Sequence, residues 1–142
     1  MNIPRLILAV VVAFLVIFAT DWLIHGVWLM PDYNATKSLW RPESEMGAHM
    51  GFMFLAQFLC AVTFVIIWAM GFPGRSVSTG IVFGLLMGMF QQVWVLINYV
   101  VMPIPADLAV KWYVSGLAQA ILVGIATALI YRPRVIIIEA TL

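Results

Sequence analysis

Residues 21–49 read DWLIHGVWLMPDYNATKSLWRPESEMGAH, and this stretch joins two long apolar segments of the chain. It holds both histidines of the sequence and four of its six acidic residues. Asp21 and His25 lie one helical turn apart where the first apolar segment ends, and Glu45 and His49 repeat that spacing where the second begins. The stretch therefore predicts a polar connection between two helices, each of which carries an acid and a histidine.

The composition of the chain is that of a membrane protein. Of its 142 residues, 65% are hydrophobic and 9% are charged, which is more apolar surface than one soluble domain of this length can bury. A membrane-spanning helix needs roughly 20 apolar residues, so the chain has room for four spans and little else. The charged residues are scattered near the ends of the apolar segments, and this excludes a basic surface for nucleic acid. Cys60 is the only cysteine, which excludes a disulfide within the chain.

Four apolar segments predict an all-α fold, an integral membrane antiparallel four-helix bundle. A single transmembrane domain is expected over residues 1–142, with spans over about residues 4–29, 43–72, 78–102 and 106–131. Pro42 suits the first turn of the second span, and Pro103-Ile104-Pro105 forms a stiff connection before the fourth. A short helix at the membrane surface is expected over residues 34–40, where Trp40 dips into the interface.

Basic residues near the ends of the spans predict the orientation of the bundle. An even number of spans puts both termini on one side, together with Arg5, Arg75, Arg132 and Arg134. The connections on the opposite side hold Lys37, Arg41 and Lys111. By the positive-inside rule both termini then face the cytoplasm. No good cleavage site precedes Asp21, so we expect the first helix to be kept rather than removed as a signal peptide.

Two further features belong to the cytoplasmic end of the predicted bundle. Pro73-Gly74-Arg75-Ser76 predicts a tight turn, with Ser76 or Ser78 as the cap of the third span. Val135 to Ile138 is a β-branched apolar run that is too short to cross a membrane. We expect it to be a frayed tail on the inner leaflet, and the alternative is a strand-like docking segment for a partner.

Small residues recur at intervals of four in the last two spans. Gly80, Gly84 and Gly88 lie along one face of the third span. The fourth span repeats the pattern with Gly116, Ala120, Gly124 and Ala128. Such faces let two helix backbones approach closely, so we expect them to pack against each other inside the bundle, and the alternative is a glycine face left for a partner.

Counting residues along the spans places the polar side chains at one depth. With a rise of 1.5 Å per residue, Asp21 and His25 come close to the outer boundary of a ~30 Å apolar core. Glu45 and His49 occupy the first turns of the second span, so the two acid and histidine pairs are expected to meet at one level. Asn98 and Lys111 reach the same end of the bundle from the third and fourth spans. The sequence thus predicts a polar cluster of Asp21, His25, Glu45, His49, Asn98 and Lys111 near the outer leaflet.

Four interpretations of this cluster stay open. An ionisable residue inside a span often marks a site, but Asp21 can equally pair with Lys111 or a histidine and lock the helices together. Two imidazoles and two carboxylates, from Asp21, His25, Glu45 and His49, are a ligand set for a divalent metal. His25 and His49 are also candidate axial ligands of a haem or a chlorophyll-type pigment. The fourth interpretation is an outward-facing pocket for protons or a small solute, with Asp21 as the titrating group.

Several short sequence motifs occur together in a recognisable order. They are Asp21 to Gly26, Leu39-Trp40-Arg41-Pro42, Pro103-Ile104-Pro105 and Tyr131-Arg132-Pro133. With these, the chain resembles a set of short, uncharacterised bacterial integral membrane proteins with four spans. The resemblance implies the four-span threading and a bacterial inner membrane, and it brings no activity, substrate or cofactor with it.

Motifs for nucleophilic catalysis, phosphate binding or nucleotide binding are absent from the sequence, so an enzyme is not the expected class. We expect an accessory or interaction protein, either an oligomer or a small subunit of a larger membrane assembly. The rival hypothesis is a protein that binds metal, haem or protons through the acid and histidine cluster.

Overall fold

The computed structural model describes residues 2–72 and 76–131, and in this part of the chain the secondary structure is helical, without a strand. The elements are α1 (Ile3–Leu23), a π-helical turn (Ile24–Trp28), α2 (Met30–Ala35), a 3₁₀ turn (Lys37–Leu39), α3 (Glu43–Gly71), α4 (Val77–Val101) and α5 (Ala106–Ile130). Four helices are long and apolar enough to cross a membrane, namely Ile3–Trp28, Glu43–Gly71, Val77–Val101 and Ala106–Ile130. The all-α prediction is confirmed, and every end of these helices lies within one residue of the predicted span.

The starts of the helices follow from local sequence signals. The side chain of Ser76 accepts a hydrogen bond from the backbone N–H of Thr79 and caps α4, as predicted. Pro42 and Pro105 immediately precede α3 and α5, and acidic residues occupy the first turn of each. Proline fixes the entering backbone and the acids favour the positive end of the helix dipole, so both helices begin where the chain returns from a connection.

α4 and α5 pack antiparallel through the small residues of the two glycine patterns. A Cβ atom added to Gly80 would lie 2.6 Å from the carbonyl oxygen of Gly124 and 2.7 Å from the Cβ of Ala128. At Gly84 the added atom would meet the backbone of Ala120 and Ile121. The two backbones approach this closely because no side chain separates them. The expected internal packing of these faces is confirmed.

α1 lies between α3 and α5, which completes a ring of four antiparallel helices. On one side Phe14 and Phe18 of α1 contact Phe58 and Phe54 of α3, with ring centroids 6.2 and 6.0 Å apart. α3 and α4 meet at the end of the bundle where α1 begins and α5 ends, and Trp68 and Phe83 lie 5.4 Å apart there between ring centroids. The main core occupies this half of the bundle, which we call the terminal half.

A smaller core closes the opposite end, which holds the connections 24–42 and 102–105 and which we call the long-loop end. Leu29, Ile104 and Leu108 are buried there and pack against Tyr33, Trp40 and Trp112. The short helix expected over residues 34–40 differs in its bounds: α2 begins earlier, and the 3₁₀ turn follows it before Trp40. The reason is that Pro31 lies in the first turn of α2 and starts that helix sooner.

Apart from the contact of Phe54 with Phe18 of α1, the half of α3 at the long-loop end stands away from the other helices. Every residue from 43 to 56 is exposed, whereas Gln57, Ala61 and Trp68 farther along are buried. No residue of this half of α3 is therefore buried within the described part of the chain. The predicted turn residues 73–75 and the predicted tail 135–138, with the arginines before it, lie outside the described residues.

Candidate functional site

The carboxylate of Asp21 is fixed by two amide groups from different helices. Gln57 of α3 donates from Nε2 to Oδ2 over 2.6 Å, and Gln119 of α5 donates from Nε2 to Oδ1 over 2.6 Å. Gln119 Nε2 also lies 2.7 Å from Oγ1 of Thr20. Both oxygens of the acid accept N–H groups, which is the hydrogen-bonding pattern of a carboxylate. One half-buried acid thus joins three of the four long helices.

Gln57 contributes a second feature to this junction. Its side chain is only 8% exposed, and its Oε1 is buried without a hydrogen-bond partner in the described part of the chain. A buried amide oxygen without a partner lowers the stability of the fold. The hydrogen bond from Gln57 to Asp21 offsets part of this loss.

His25 lies in the π-helical turn and is fixed by aromatic side chains. Its Nδ1 is 2.5 Å from the hydroxyl oxygen of Tyr33, and that hydroxyl accepts a hydrogen bond of 2.8 Å from Nε1 of Trp112. The hydroxyl can donate to Nδ1 or accept from it while it accepts from Trp112, so the direction of this bond follows the tautomer of the ring. The π-helical turn, closed by the bond from Leu29 N–H to the Ile24 carbonyl, displays this histidine at the end of α1.

Lys111 takes part in a separate ion-pair group at the long-loop end. Its Nζ lies 2.6 Å from Oδ1 of Asp32 and 3.6 Å from Oδ2 of Asp107. This lysine therefore ties the connection after α1 to the start of α5. The predicted pairing of Asp21 with Lys111 or a histidine is replaced by the bonds from Gln57 and Gln119.

Glu45 and His49 form their own exposed group on α3. Nδ1 of His49 donates to the backbone carbonyl of Glu45 over 2.9 Å, and Arg41 approaches both residues, at 3.4 Å from Nε2 of His49 and 3.6 Å from Oε2 of Glu45. These residues lie on the half of α3 that stands away from the bundle. In the described part of the chain they form no hydrogen bond or ion pair with Asp21 or His25 and share no partner with them, so the expected meeting of the two pairs is not observed.

This separation bears on the predicted metal and haem ligands. Within residues 2–72 and 76–131, no group of three or more His, Cys, Asp or Glu side chains is placed so that it could hold a metal ion. Asp21, His25, Glu45 and His49 therefore do not assemble into the predicted four-ligand centre. His25 lines an open cavity of the bundle and His49 does not, so the structure does not place the two predicted axial ligands in one cavity.

The cavity measures about 370 Å³ and lies at the long-loop end between α1, α4 and α5. Its polar lining consists of Asp21, His25, Gln91, Gln92, Asn98, Ser115 and Gln119. Trp94 and Trp112 add aromatic surface to the wall. α3 contributes no lining residue, and the cavity lies on the side of the bundle from which the exposed half of α3 stands away.

Several hydrogen-bonding groups in this wall have no partner among the described residues. The amide of Gln92 makes no hydrogen bond there, and it occupies the space that a side chain at position 116 would fill, which Gly116 leaves open. Asn98 uses its Nδ2 to donate to the Trp94 carbonyl over 3.0 Å, which leaves Oδ1 without a bond to the described chain. Nε2 of His25 likewise makes no hydrogen bond to the described chain. The wall therefore presents donors and acceptors to whatever fills the cavity.

Sequence reasoning named Asp21, His25 and Asn98, and all three line the cavity. It missed the roles of Gln57 and Gln119, which hold the acid. The available signal was the polarity of these amides within otherwise apolar segments, since a polar side chain inside a span usually has a partner there. Tyr33 was also missed, because it lies in a connection whose folding back onto α5 is not visible in local sequence.

The chain matches no protein-family model, and comparisons with curated protein sequences and with solved structures find no match.

Proposed function

We propose that this chain is a four-span membrane protein that binds a small hydrogen-bonding molecule in the cavity between α1, α4 and α5. The observation that carries the proposal is the polar lining supplied by three helices that are otherwise apolar enough to cross a membrane. Polar groups at such positions are costly unless they serve packing or a ligand. Cavities of a few hundred Å³ with a few convergent polar groups are typical of small-molecule sites.

The proposed orientation places the long-loop end outside and both termini in the cytoplasm of a bacterial cell, with the bundle in the inner membrane. The distribution of basic residues along the sequence supports this orientation. In this placement the cavity lies near the outer surface of the bilayer, where a solute has access to it from outside.

A purely structural role explains the cavity less well. Helix-locking groups need bonds to each other, as Asp21 has with Gln57 and Gln119. Gln92 instead faces the cavity without a bond to the described chain. A bound molecule can take up the hydrogen bonds that this amide does not make within the described chain.

The experiment is to purify the protein from its native membrane in mild detergent and identify co-purifying small molecules by native mass spectrometry and extraction. We expect a molecule in stoichiometric amount that is lost in Gln92→Leu and retained in Thr63→Val. Thr63 is a matched control because it is an exposed polar residue of α3 whose hydroxyl bonds only its own helix. Absence of any bound molecule, together with no thermal stabilisation by a panel of small polar solutes, would overturn the proposal.

The second candidate function is an accessory subunit or oligomer, in keeping with the expectation from the sequence. The observation that favours it is the exposure of residues 43–56 of α3 on every face. A helix half in which every residue stays exposed within its own chain offers surface to lipid or to a neighbouring protein. Measuring whether one face of this segment is covered in the membrane separates these two possibilities.

A further inference from the structure

The charge of the cavity wall is uneven. Asp21 is the one acidic side chain among the described residues that line the cavity, and no lysine or arginine is among them. Lys111, the basic residue in the first turns of α5, is held by Asp32 and Asp107 instead. A lone carboxylate in an apolar setting attracts cations and repels anions more strongly than it would in water. The wall therefore selects against anionic ligands.

Two tryptophans line the same cavity as that carboxylate. Trp94 of α4 and Trp112 of α5 both belong to the cavity lining. The face of an indole ring attracts a cation electrostatically, and tryptophan is the strongest of the aromatic side chains in this respect. Tryptophan faces together with one carboxylate are the chemistry by which proteins recognise organic ammonium groups.

The size of the cavity decides between kinds of cation. A water molecule occupies roughly 30 Å³ of liquid, so a space of about 370 Å³ far exceeds a bare inorganic ion. It suits an organic molecule with an apolar part that can lie against the tryptophans. The unpaired amide of Gln92 and Oδ1 of Asn98 offer acceptors for the N–H groups of such a molecule.

We infer that the ligand of this cavity is a small organic ammonium ion, with its cationic group at Asp21 and its apolar part against Trp94 and Trp112. The inference rests on the proposed function and names the chemical class of its ligand. Asp21 is held ready for this role, because the bonds from Gln57 and Gln119 fix the carboxylate before any ligand arrives.

The test compares three probes of similar shape: phenethylammonium, phenethyl alcohol and 3-phenylpropionate. Their affinities are measured by calorimetry at neutral pH on the purified full chain, in wild type, Asp21→Asn and Asp107→Asn. We expect wild type to bind the ammonium at least about tenfold more tightly than the alcohol, and the propionate least. Asp21→Asn should lose that preference. Asp107→Asn should keep it, because Asp107 is a carboxylate at the same end of the bundle that does not line the cavity.

The outcomes separate this inference from the proposed function. Equal or tighter binding of the alcohol, or displacement of the ammonium by millimolar sodium or potassium alone, overturns the ammonium inference and leaves a ligand-binding cavity. Failure of all three probes in a protein that also carries no co-purified molecule overturns both. If Asp21→Asn does not fold, the Trp94→Leu variant is measured instead. It should reduce the preference for ammonium over alcohol. An unchanged preference contradicts the inference.

Discussion

Because of its hydrogen bonds, Asp21 should tolerate replacement by asparagine better than replacement by leucine. Gln57 carries a buried Oε1 without a partner, beside the Nε2 that binds the acid. Rotation of that amide brings the oxygen toward position 21, where an asparagine can donate its own N–H to it. A leucine leaves Nε2 of Gln57 without an acceptor and removes one acceptor from Gln119.

We therefore expect Asp21→Asn to fold with a free energy of unfolding within about 1 kcal/mol of wild type, and Asp21→Leu to lose about 1–3 kcal/mol. Thermal unfolding in detergent, followed by circular dichroism, measures both. The control is the double variant Asp21→Leu with Gln57→Leu. It removes the Gln57 amide that has lost its acceptor, so it should recover part of the lost free energy of unfolding. Equal behaviour of the asparagine and leucine variants would contradict the bonding described for this junction.

Tyr33 offers a pH-dependent signal outside the four long helices. Burial raises the pKa of the Tyr33 hydroxyl to about 12, with the hydrogen bond from Trp112 acting in the opposite direction and the charges of Asp32 and Asp21 adding to the rise. Because the folded chain holds this proton more tightly than the unfolded chain, its contribution to stability is complete below about pH 10 and is lost as pH rises toward 12.

The measurement is an alkaline titration of tyrosine absorbance near 295 nm in wild type and in Tyr33→Phe. The difference between the two curves isolates Tyr33, and its midpoint should lie near pH 12. Trp112→Phe removes the hydrogen bond that lowers this pKa, so the midpoint should move still higher. A difference curve centred at pH 10, the value of an ordinary tyrosine, would show that Tyr33 is not packed against α5 as described.

At the scale of helices, the contact between α4 and α5 depends on the absence of side chains. A methyl group at Gly84 meets backbone atoms of Ala120 and Ile121, which cannot move without separating the helices. Gly51 lies in open space, with nothing within 4 Å of an added Cβ. We expect Gly84→Ala to destabilise the fold by about 1–3 kcal/mol.

Gly51→Ala is the matched control, because alanine is the better helix former where nothing obstructs it. It should leave the melting temperature unchanged or raise it, when both variants are measured in the same detergent. If Gly84→Ala were as stable as Gly51→Ala, the backbones of α4 and α5 would have to lie farther apart than the structure shows.

The helices themselves were predictable from the sequence, and their arrangement around the site was only partly so. Long apolar segments bounded by Pro42, Ser76 and Pro105 define the helix ends, since the signals are local. The small-residue pattern also identified the α4–α5 contact. The partners of Asp21 were not predictable in this way, because Gln57 and Gln119 lie 36 and 98 residues away and meet it only through the relative rotation of the helices.

The sequence also led to a wrong expected position for Glu45 and His49, and the cause is related. Counting residues gives the height of a side chain along a helix, and both pairs are near the same end of the bundle. It gives no lateral position, and the half of α3 that carries Glu45 and His49 stands apart from α1. Helix spacing is determined by packing: Gln57 is the first residue of α3 that is buried, so the close packing of α3 against the bundle begins there.

For the molecule as a whole, α3 divides into a packed half and an exposed half, and the cavity lies beside the exposed one. Residues 57–71 close the terminal half of the bundle with Phe64 and Trp68 against Phe83. The long-loop half has walls from α1, α4 and α5, with no lining residue from α3. Entry to the proposed binding site and contact with a neighbouring protein therefore both depend on what lies next to residues 43–56.

A nitroxide scan tests the state of this segment in a lipid bilayer. Single cysteines are introduced one at a time over residues 47–56 and, for comparison, over 119–128, in a Cys60→Ser background, and oxygen accessibility is measured by electron paramagnetic resonance. Over 119–128 we expect accessibility with helical periodicity, because Ala120, Val123 and Gly124 are buried and Leu122 is exposed.

Over residues 47–56 the expected pattern has no such periodicity, since every residue there is exposed in the isolated chain. Protection of one face with a period of 3.6 residues would mean that this half of α3 is covered in the membrane. Dilution of the protein in lipid then identifies the cover: protection that fades on dilution belongs to a second copy and favours the oligomer. Protection that persists on dilution, in a sample where crosslinking of the same cysteines yields no dimer, contradicts the exposed position of this half, because only the chain itself can then supply the cover.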